Sequence, residues 1–388
     1  MSISENLTPH FTVDNALFAN WRSENGWGTP KRYLEVDDTM TADSAYRYVS
    51  EGIGLLWRGD FQNGRQLLQA LTRRVDKRPP KLGDLAYPER FHRIRLNRAQ
   101  RARTLGMLLI PFEAGHQLTH RRAPDVALAC HEAYGDCNVA YVTPFTELLG
   151  VISAHEWRKK GLYIAALEGN IHAHYGVFAP TRNEYLDLIM RAPLARTELA
   201  MDIGTGTGVI ALALAKRGIK KIIATDNNPR AIASASGNVG LFGLTKQIEI
   251  QQTDLFPAEQ SASVQQADLI VCNPPWIPGK PSSLLETAVY DPDQQMLRGF
   301  VKQVGQHLKR DGEVWLVMSD LAEHLGLRLR EDLLTLFADG GLEVIDRLEV
   351  KPVHKKINDA DDPLAALRSK EMTSLWRLKV INNGHTQT

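Results

Sequence analysis

Asn273-Pro274-Pro275-Trp276 closes the apolar run Ala267-Asp-Leu-Ile-Val-Cys272. The run predicts a buried strand. Two consecutive prolines, lacking backbone donors and with φ fixed, must end it. What protrudes is a rigid turn carrying one carboxamide, one backbone carbonyl and one flat aromatic ring. The Asn273 side-chain oxygen and the Pro274 carbonyl can each accept an N–H, and the Trp276 ring can stack on a plane. Such a turn suits a planar group bearing an NH2. The same residues also fit an ordinary strand-ending turn, which Asn-Pro often marks.

Upstream lies Leu199-Ala-Met-Asp202-Ile-Gly204-Thr205-Gly206-Thr207-Gly208, followed by Val209-Ile-Ala-Leu-Ala-Leu-Ala215. This predicts a strand, a glycine loop, and a helix apolar on nearly every side, as a helix covered on a sheet must be. The spacing is not the G-x-G-x-x-G of dinucleotide sites, and no Gly-Lys-Ser/Thr offers a phosphate cradle. An acid precedes the loop instead. A carboxylate at Asp202 repels a pyrophosphate and favours a ligand with a positive amino-acid end.

Lys221-Ile-Ile-Ala-Thr-Asp226 predicts a second strand ending in an acid, where a ribose diol is usually gripped. Asn227-Asn228-Pro229 then opens a helix, with Asn228 as N-cap and Pro229 at its first position. A third strand, Gln247 to Gln252, runs into Thr253-Asp254-Leu255-Phe256, with Asp254 placed to accept from an adenine amino group. Each acid alone reads as an exposed loop carboxylate. Four strand-end motifs in one order point to a single edge, since ligands collect at the carboxyl ends of parallel strands.

Together these residues resemble the class I S-adenosylmethionine-dependent methyltransferases. More narrowly they resemble the Asn-Pro-Pro-aromatic group (HemK-like, methyltransferase small domain) that methylates amino or amide nitrogens. The resemblance covers about residues 172–350. It implies a seven-stranded, mostly parallel, doubly wound α/β sheet and S-adenosyl-L-methionine as cofactor. By it, Asp202, Gly204, Thr205 and Gly206 cradle the methionine part, and Gly208 and Asn227 also belong to the cofactor site. Asp226 takes the ribose, Asp254 with Leu255 takes the adenine, and Asn273 lies beside the cofactor. Asn273, Pro274, Pro275 and Trp276 hold the target nitrogen as the catalytic turn. Gly176-Val-Phe-Ala-Pro180-Thr-Arg182-Asn-Glu184 resembles a pre-core stretch that closes over the site, so Phe178 and Arg182 join Trp276 as substrate contacts. Tyr290-Asp-Pro292, ahead of Met296-Leu-Arg-Gly299, is similar to a segment of the glutamine enzymes. Trp276 stands where those enzymes have Tyr and the guanine-N2 enzymes Phe. The context of Arg182 matches neither subfamily cleanly.

Methyl transfer from a sulfonium is an in-line displacement, so positioning and charge environment provide most of the acceleration. An amide or aniline-like nitrogen is a poor nucleophile because its lone pair is delocalised. Two acceptors on its hydrogens help to free that pair and take up the charge that develops. The chemistry requires no metal and no cysteine nucleophile.

Composition agrees. The chain has 388 residues, enough for two domains, with 46 basic against 45 acidic residues and a net charge of +1. A strongly polyanion-binding molecule overall is excluded. Three cysteines (Cys130, Cys137 and Cys272) suit a reducing cytoplasm rather than a disulfide framework. Cys130-His131 with Cys137 lacks the second pair that a metal corner needs. Met1-Ser-Ile-Ser-Glu5 has no signal-peptide character, and the apolar stretch near Leu105–Phe112 is too short to span a membrane.

The predicted division falls near residue 170. Residues 1–170 read as a mainly helical substrate-recognition domain, and 171–388 as the methyltransferase domain. Helices are expected over Asp43 to Arg74, broken at Arg58-Gly-Asp60, over Glu89 to Leu109, Pro124 to Ala133 and Pro144 to Lys159. A β-hairpin, Leu162 to Leu167 and Asn170 to Tyr175, closes the domain. Nothing in it repeats the glycine-loop pattern, so it is not read as a second, degenerate methyltransferase. Between residues 58 and 103 there are 13 Lys and Arg against four acids, a net of +9. Arg90, Arg93, Arg98 and Arg101 give a helix there a basic face, for phosphates or for acids of the same chain. Past the core, Gly312 to Met318, Leu342 to Val350 and Met372 to Val380 are the last three strands. The insertion with His354, Lys355 and Lys356 lies between the final two. The expected function is N-methylation of an exocyclic base amine in RNA, or DNA. The alternative is a protein glutamine in a translation factor or ribosomal protein. The partner is accordingly RNA or a protein, and no membrane.

Overall fold

The computed structural model describes residues 10–13, 16–257, 266–352 and 362–381. The insertion residues His354, Lys355 and Lys356 lie outside them. The chain divides into two compact units, 1–156 and 157–388, with the boundary inside the helix Phe145–Lys160 rather than at residue 170.

The second unit is built on seven strands, labelled in chain order β1 (Leu199–Ile203), β2 (Lys221–Asp226), β3 (Ile248–Gln252), β4 (Ala267–Cys272), β5 (Leu308–Ser319), β6 (Leu342–Val350) and β7 (Thr373–Val380). Their order is β3-β2-β1-β4-β5-β7-β6. β1 to β5 pair in parallel, while β7 runs antiparallel between β5 and β6. This is the doubly wound sheet that the sequence predicts. Alternation along the strands divides the core in two. Ala200, Ile222, Leu269, Val271 and Trp315 face one cluster, and Met201, Ile223, Ile270 and Leu316 the other.

Helices cover both faces. We label α1 (Glu184–Arg191), α2 (Val209–Lys216), α3 (Pro229–Leu241) and α4 (Gln295–His307). Helix α2 buries every residue from Val209 to Ala215, which is why its sequence is apolar all round. The chain order reverses between β1 and β4, so a crevice opens at their carboxyl ends. The β-hairpin forms as Leu162–Ile164 against Gly169–Ile171, narrower than its sequence suggests.

The first unit holds more than helices. Helices Ala42–Ser50, Phe61–Asp76, Tyr87–Leu105, Ala127–Tyr134 and the start of Phe145–Lys160 hold more of its residues than its strands do. They accompany a six-stranded mixed sheet that the sequence reading lacks. Ile53 to Leu56, read as the end of a helix, lead into and form the strand Gly54–Trp57. The helix expected to run to Leu109 stops at Leu105, and Leu108–Phe112 is a strand. Both strands are buried at every position, so they show no alternation, and at four or five residues their apolar runs look like turns of buried helix. Gly54–Trp57 pairs in parallel with Tyr33–Val36 and with Leu108–Phe112. No helix of the described residues is long and apolar enough to cross a membrane.

Candidate active site

Asp202 sits near the carboxyl end of β1, fully buried between β2 and β4. Its Oδ2 accepts from the Thr205 hydroxyl at 2.6 Å and from the Ala211 N–H at 3.0 Å. Its Oδ1 is buried and has no partner. Burial outweighs these bonds and pushes the carboxyl up to about 7. Among the described residues no cation is bonded to this buried carboxyl, and one of its oxygens is left unsatisfied.

The loop after β1 is shaped by its glycines at two places in particular. Gly204 has φ +73°, and a Cβ there would meet Met296 Cε at 2.8 Å. Gly208 caps α2 at φ +81°, where a Cβ would press on Ala235. Gly206 also has positive φ, but with open space where its Cβ would be, which leaves its backbone approachable.

Asp226 closes β2. Its Oδ2 accepts from Gly206 N–H at 3.0 Å and its Oδ1 from Asn228 N–H at 2.9 Å, so this acid clips the glycine loop to the start of α3. Burial raises its carboxyl above the usual range. Asn227 is exposed beside it. Asn228 is the N-cap, as its sequence position predicts. Past β3, Asp254 is exposed and Leu255 takes φ +61°, a rare backbone state for a bulky residue. The Leu255 carbonyl receives the Thr225 hydroxyl at 2.6 Å, and its side chain packs over Gly299 of α4.

Asn273 follows β4 and is half-buried, Pro274 is buried, and Pro275 and Trp276 are half-buried. The Trp276 indole N–H donates to Asn273 Oδ1 at 2.9 Å. Trp276, expected from the sequence to be a stacking platform alone, has a second task through this bond. The turn continues into the short strand Ile277–Pro278, paired with Tyr290–Asp291. Asp291 is buried and its two oxygens accept from the Met296 and Leu297 N–H groups, anchoring the start of α4. This explains the Tyr290-Asp-Pro292 segment, whose acid fixes the helix that packs on Gly204 and Leu255.

Phe178 is exposed. Arg182 is not presented as a free substrate contact. Its Nε and Nη2 donate to Glu184 Oε1, its Nη1 donates to Glu371 Oε1, and its guanidinium lies 5.3 Å from the Trp276 ring centroid. Glu371 and Ser319, which joins it through a 2.6 Å hydrogen bond, carry no local sequence signal. They lie 189 and 137 positions along the chain from Arg182, where no pattern links them.

The residues around the glycine loop fit an amino-acid-bearing nucleoside such as S-adenosylmethionine. The fit rests on the orphaned Asp202 oxygen for an ammonium, the open Gly206 backbone, and acids ending β2 and following β3.

Residues 168–333 match the family model described as the methyltransferase small domain. A Methanocaldococcus jannaschii protein, provisionally named a protein N5-glutamine methyltransferase, is 28% identical over 165 residues, covering 41% of this chain and 80% of that protein. The release factor glutamine methyltransferase of Shewanella oneidensis is 40% identical over 99 residues, covering 25% of this chain and 33% of its own length. The tRNA1(Val) (adenine(37)-N6)-methyltransferase of Shewanella loihica is 33% identical over 95 residues, covering 24% and 39%. The chain therefore spans well under half the length of the latter two.

Proposed function

We propose that this chain, a class I S-adenosylmethionine-dependent methyltransferase of the Asn-Pro-Pro-aromatic group with its small domain over residues 168–333, methylates an sp2 amino nitrogen, an exocyclic base amine of RNA. The observation that carries the nitrogen chemistry is the acceptor pair at the end of β4. Asn273 Oδ1 keeps a second lone pair beyond the one given to Trp276, and Pro274 contributes a backbone carbonyl from a turn whose two prolines fix φ.

The cofactor supplies an electrophilic methyl group on a sulfonium. The chain does the rest by placement. Asp202 offers its orphaned oxygen to the ammonium end, and Asp226 and the Asp254–Leu255 edge hold the ribose and adenine. Asn273 and Pro274 draw the hydrogens of the target nitrogen to one side, which exposes its lone pair and stabilises the positive charge that grows there. No group of the chain has to be alkylated.

RNA is favoured by the exposed cations of the first unit. Arg93, Arg98 and Arg103 are exposed on the helix Tyr87–Leu105. The basic stretch is thinner than its sequence suggests. Arg101 is held by Asp76 at 2.6 and 3.0 Å, Arg74 by Asp43, and Arg90 bonds the Gly83 carbonyl. The three exposed arginines are five residues apart, so they spread round the helix instead of forming one face. A protein glutamine is the second reading, favoured by the names of the Methanocaldococcus and Shewanella oneidensis relatives. The deciding experiment incubates the protein and labelled cofactor with a lysate of cells that lack it. Label released by ribonuclease supports the base amine. Label released only by protease replaces it with the amide, and label in neither overturns both.

A further inference from the structure

We propose that Trp276 and Arg182 are positioning residues, a relay that fixes which end of the Asn273 carboxamide faces the target nitrogen. The proposal rests on the reading that Asn273 accepts from that nitrogen.

A carboxamide has two ends of nearly equal shape. Turned one way it presents an acceptor, and turned the other way it presents a donor that would repel an amino group. Backbone and packing do not distinguish the two; only a partner of one polarity does. The indole Nε1–H is such a partner, because it donates and never accepts. At 2.9 Å from Oδ1 it holds the oxygen in place. The flipped amide would set its NH2 against the indole N–H. Oδ1 then has one lone pair left for one hydrogen of the target, and the Pro274 carbonyl takes the other. A Phe or Tyr ring at position 276 offers no N–H, so this orientation lock belongs to tryptophan.

An indole orients the amide only if the indole itself is held. Arg182 lies 5.3 Å from its ring centroid, within cation–π range. Its fork is fixed on both sides. Nε and Nη2 donate to Glu184 Oε1 at 3.2 and 3.0 Å, and Nη1 donates to Glu371 Oε1 at 3.0 Å. Both acids are buried. Each is tied in turn to a strand end, since Ser319 of β5 donates to Glu371 at 2.6 Å and Thr373 of β7 to Glu184 at 3.4 Å. The ends of β5 and β7 thereby set the Arg182 plane, Arg182 together with packing against both core clusters holds the indole, and the indole sets the amide. An arginine committed in this way is not available to a phosphate of the substrate.

The main test is Trp276→Phe, which keeps an aromatic ring and deletes the donor. Methylation is followed with labelled cofactor on total RNA from cells lacking the protein, or on their protein extract if RNA takes no label. That choice separates failure of the RNA reading from failure of the relay. Trp276→Phe is expected to lower kcat roughly 5- to 10-fold, the scale of one hydrogen bond, with KM and cofactor affinity little changed. In an Asn273→Ala background the same change is expected to cost nothing further, because the lock has nothing left to hold. Normal kcat in Trp276→Phe, a loss confined to KM, or an equal loss in the Asn273→Ala background would overturn the proposal. A second measurement needs no acceptor. The Trp276 indole N–H resonance is expected to be protected from exchange in the wild-type chain and to shift and lose protection in Asn273→Ala. An unprotected resonance, indifferent to Asn273, also overturns the proposal.

Discussion

Each unit ends neighbouring parallel strands in a pair of carboxylates, and the two pairs differ in what surrounds them. In the first unit Asp38 and Asp60 follow the strands Tyr33–Val36 and Gly54–Trp57. Asp60 is gripped by Arg122 at 2.7 Å through two nitrogens and by Arg121 at 3.0 Å, while Asp38 accepts from the Asp60 N–H and from Asn63. The Arg122 guanidinium holds the Asp60 carboxyl far below the usual range. In the second unit Asp202 and Asp226 receive only neutral donors among the described residues, burial raises both, and one Asp202 oxygen has no partner there. A strand-end acid neutralised by its own chain is a structural tie. One left short of positive charge is a candidate site for a cationic ligand.

The largest expected effect probes the turn beside the uncompensated pair. Asn273→Ala should lower kcat by roughly two to three orders of magnitude while cofactor affinity survives, as losing one preorganised polar partner does elsewhere. Steady-state kinetics with calorimetry on the same variant checks both halves. Near-normal turnover would reduce the turn to a strand ending.

Next in size is Asp226→Ala, expected to weaken cofactor binding by about 1.5–3 kcal/mol, the scale of hydrogen bonds to a charged group. Asp60→Ala is its counterpart. It removes the N-cap of the helix Phe61–Asp76 and should lower the melting temperature by a few degrees, leaving cofactor affinity unchanged. If Asp60→Ala weakens cofactor binding as much as Asp226→Ala does, the contrast between the two edges fails.

The pH dependence of the two acids should have opposite signs. Asp202 is raised in the folded chain, so its contribution favours folding while it is protonated and is lost as pH rises through about 7. An ammonium paired with it reverses that loss, so cofactor affinity should grow across the same range, with proton release on binding. Asp60 is lowered, so its contribution is intact at neutral pH and disappears only as pH falls below the ordinary carboxylate range. Calorimetry in two buffers of different ionisation heat, with melting curves from acid to neutral pH, measures both signs. The smallest effect is expected from changing Arg93, Arg98 and Arg103 together to Gln. If these contact phosphates, the salt dependence of RNA binding flattens by about one unit of slope or more. An unchanged slope assigns them to a solvated surface.

Much of the second unit was legible because its punctuation is local. Glycines stand where φ is positive, prolines where strand β4 must end, and acids where β1 and β2 deliver them to the crevice. The sheet of the first unit was not legible, since its short strands, buried at every position, carry no periodicity to tell them from buried helix. The Arg58-Gly-Asp60 break, read as an interruption in a helix, is the strand-to-helix turn that carries the first carboxylate edge.

By itself, then, the amino-acid order determined the strand–loop–helix succession of the catalytic unit and the residue types at its edge, because backbone preference depends on near neighbours. Tertiary structure alone decided how each charge is spent. Asp76 meets Arg101, Glu371 meets Arg182, and the Trp276 indole N–H is turned onto Asn273. Asp202 keeps an oxygen that nothing among the described residues satisfies. Neutralisation and orientation depend on which groups face each other across space, and no spacing along the chain specifies that.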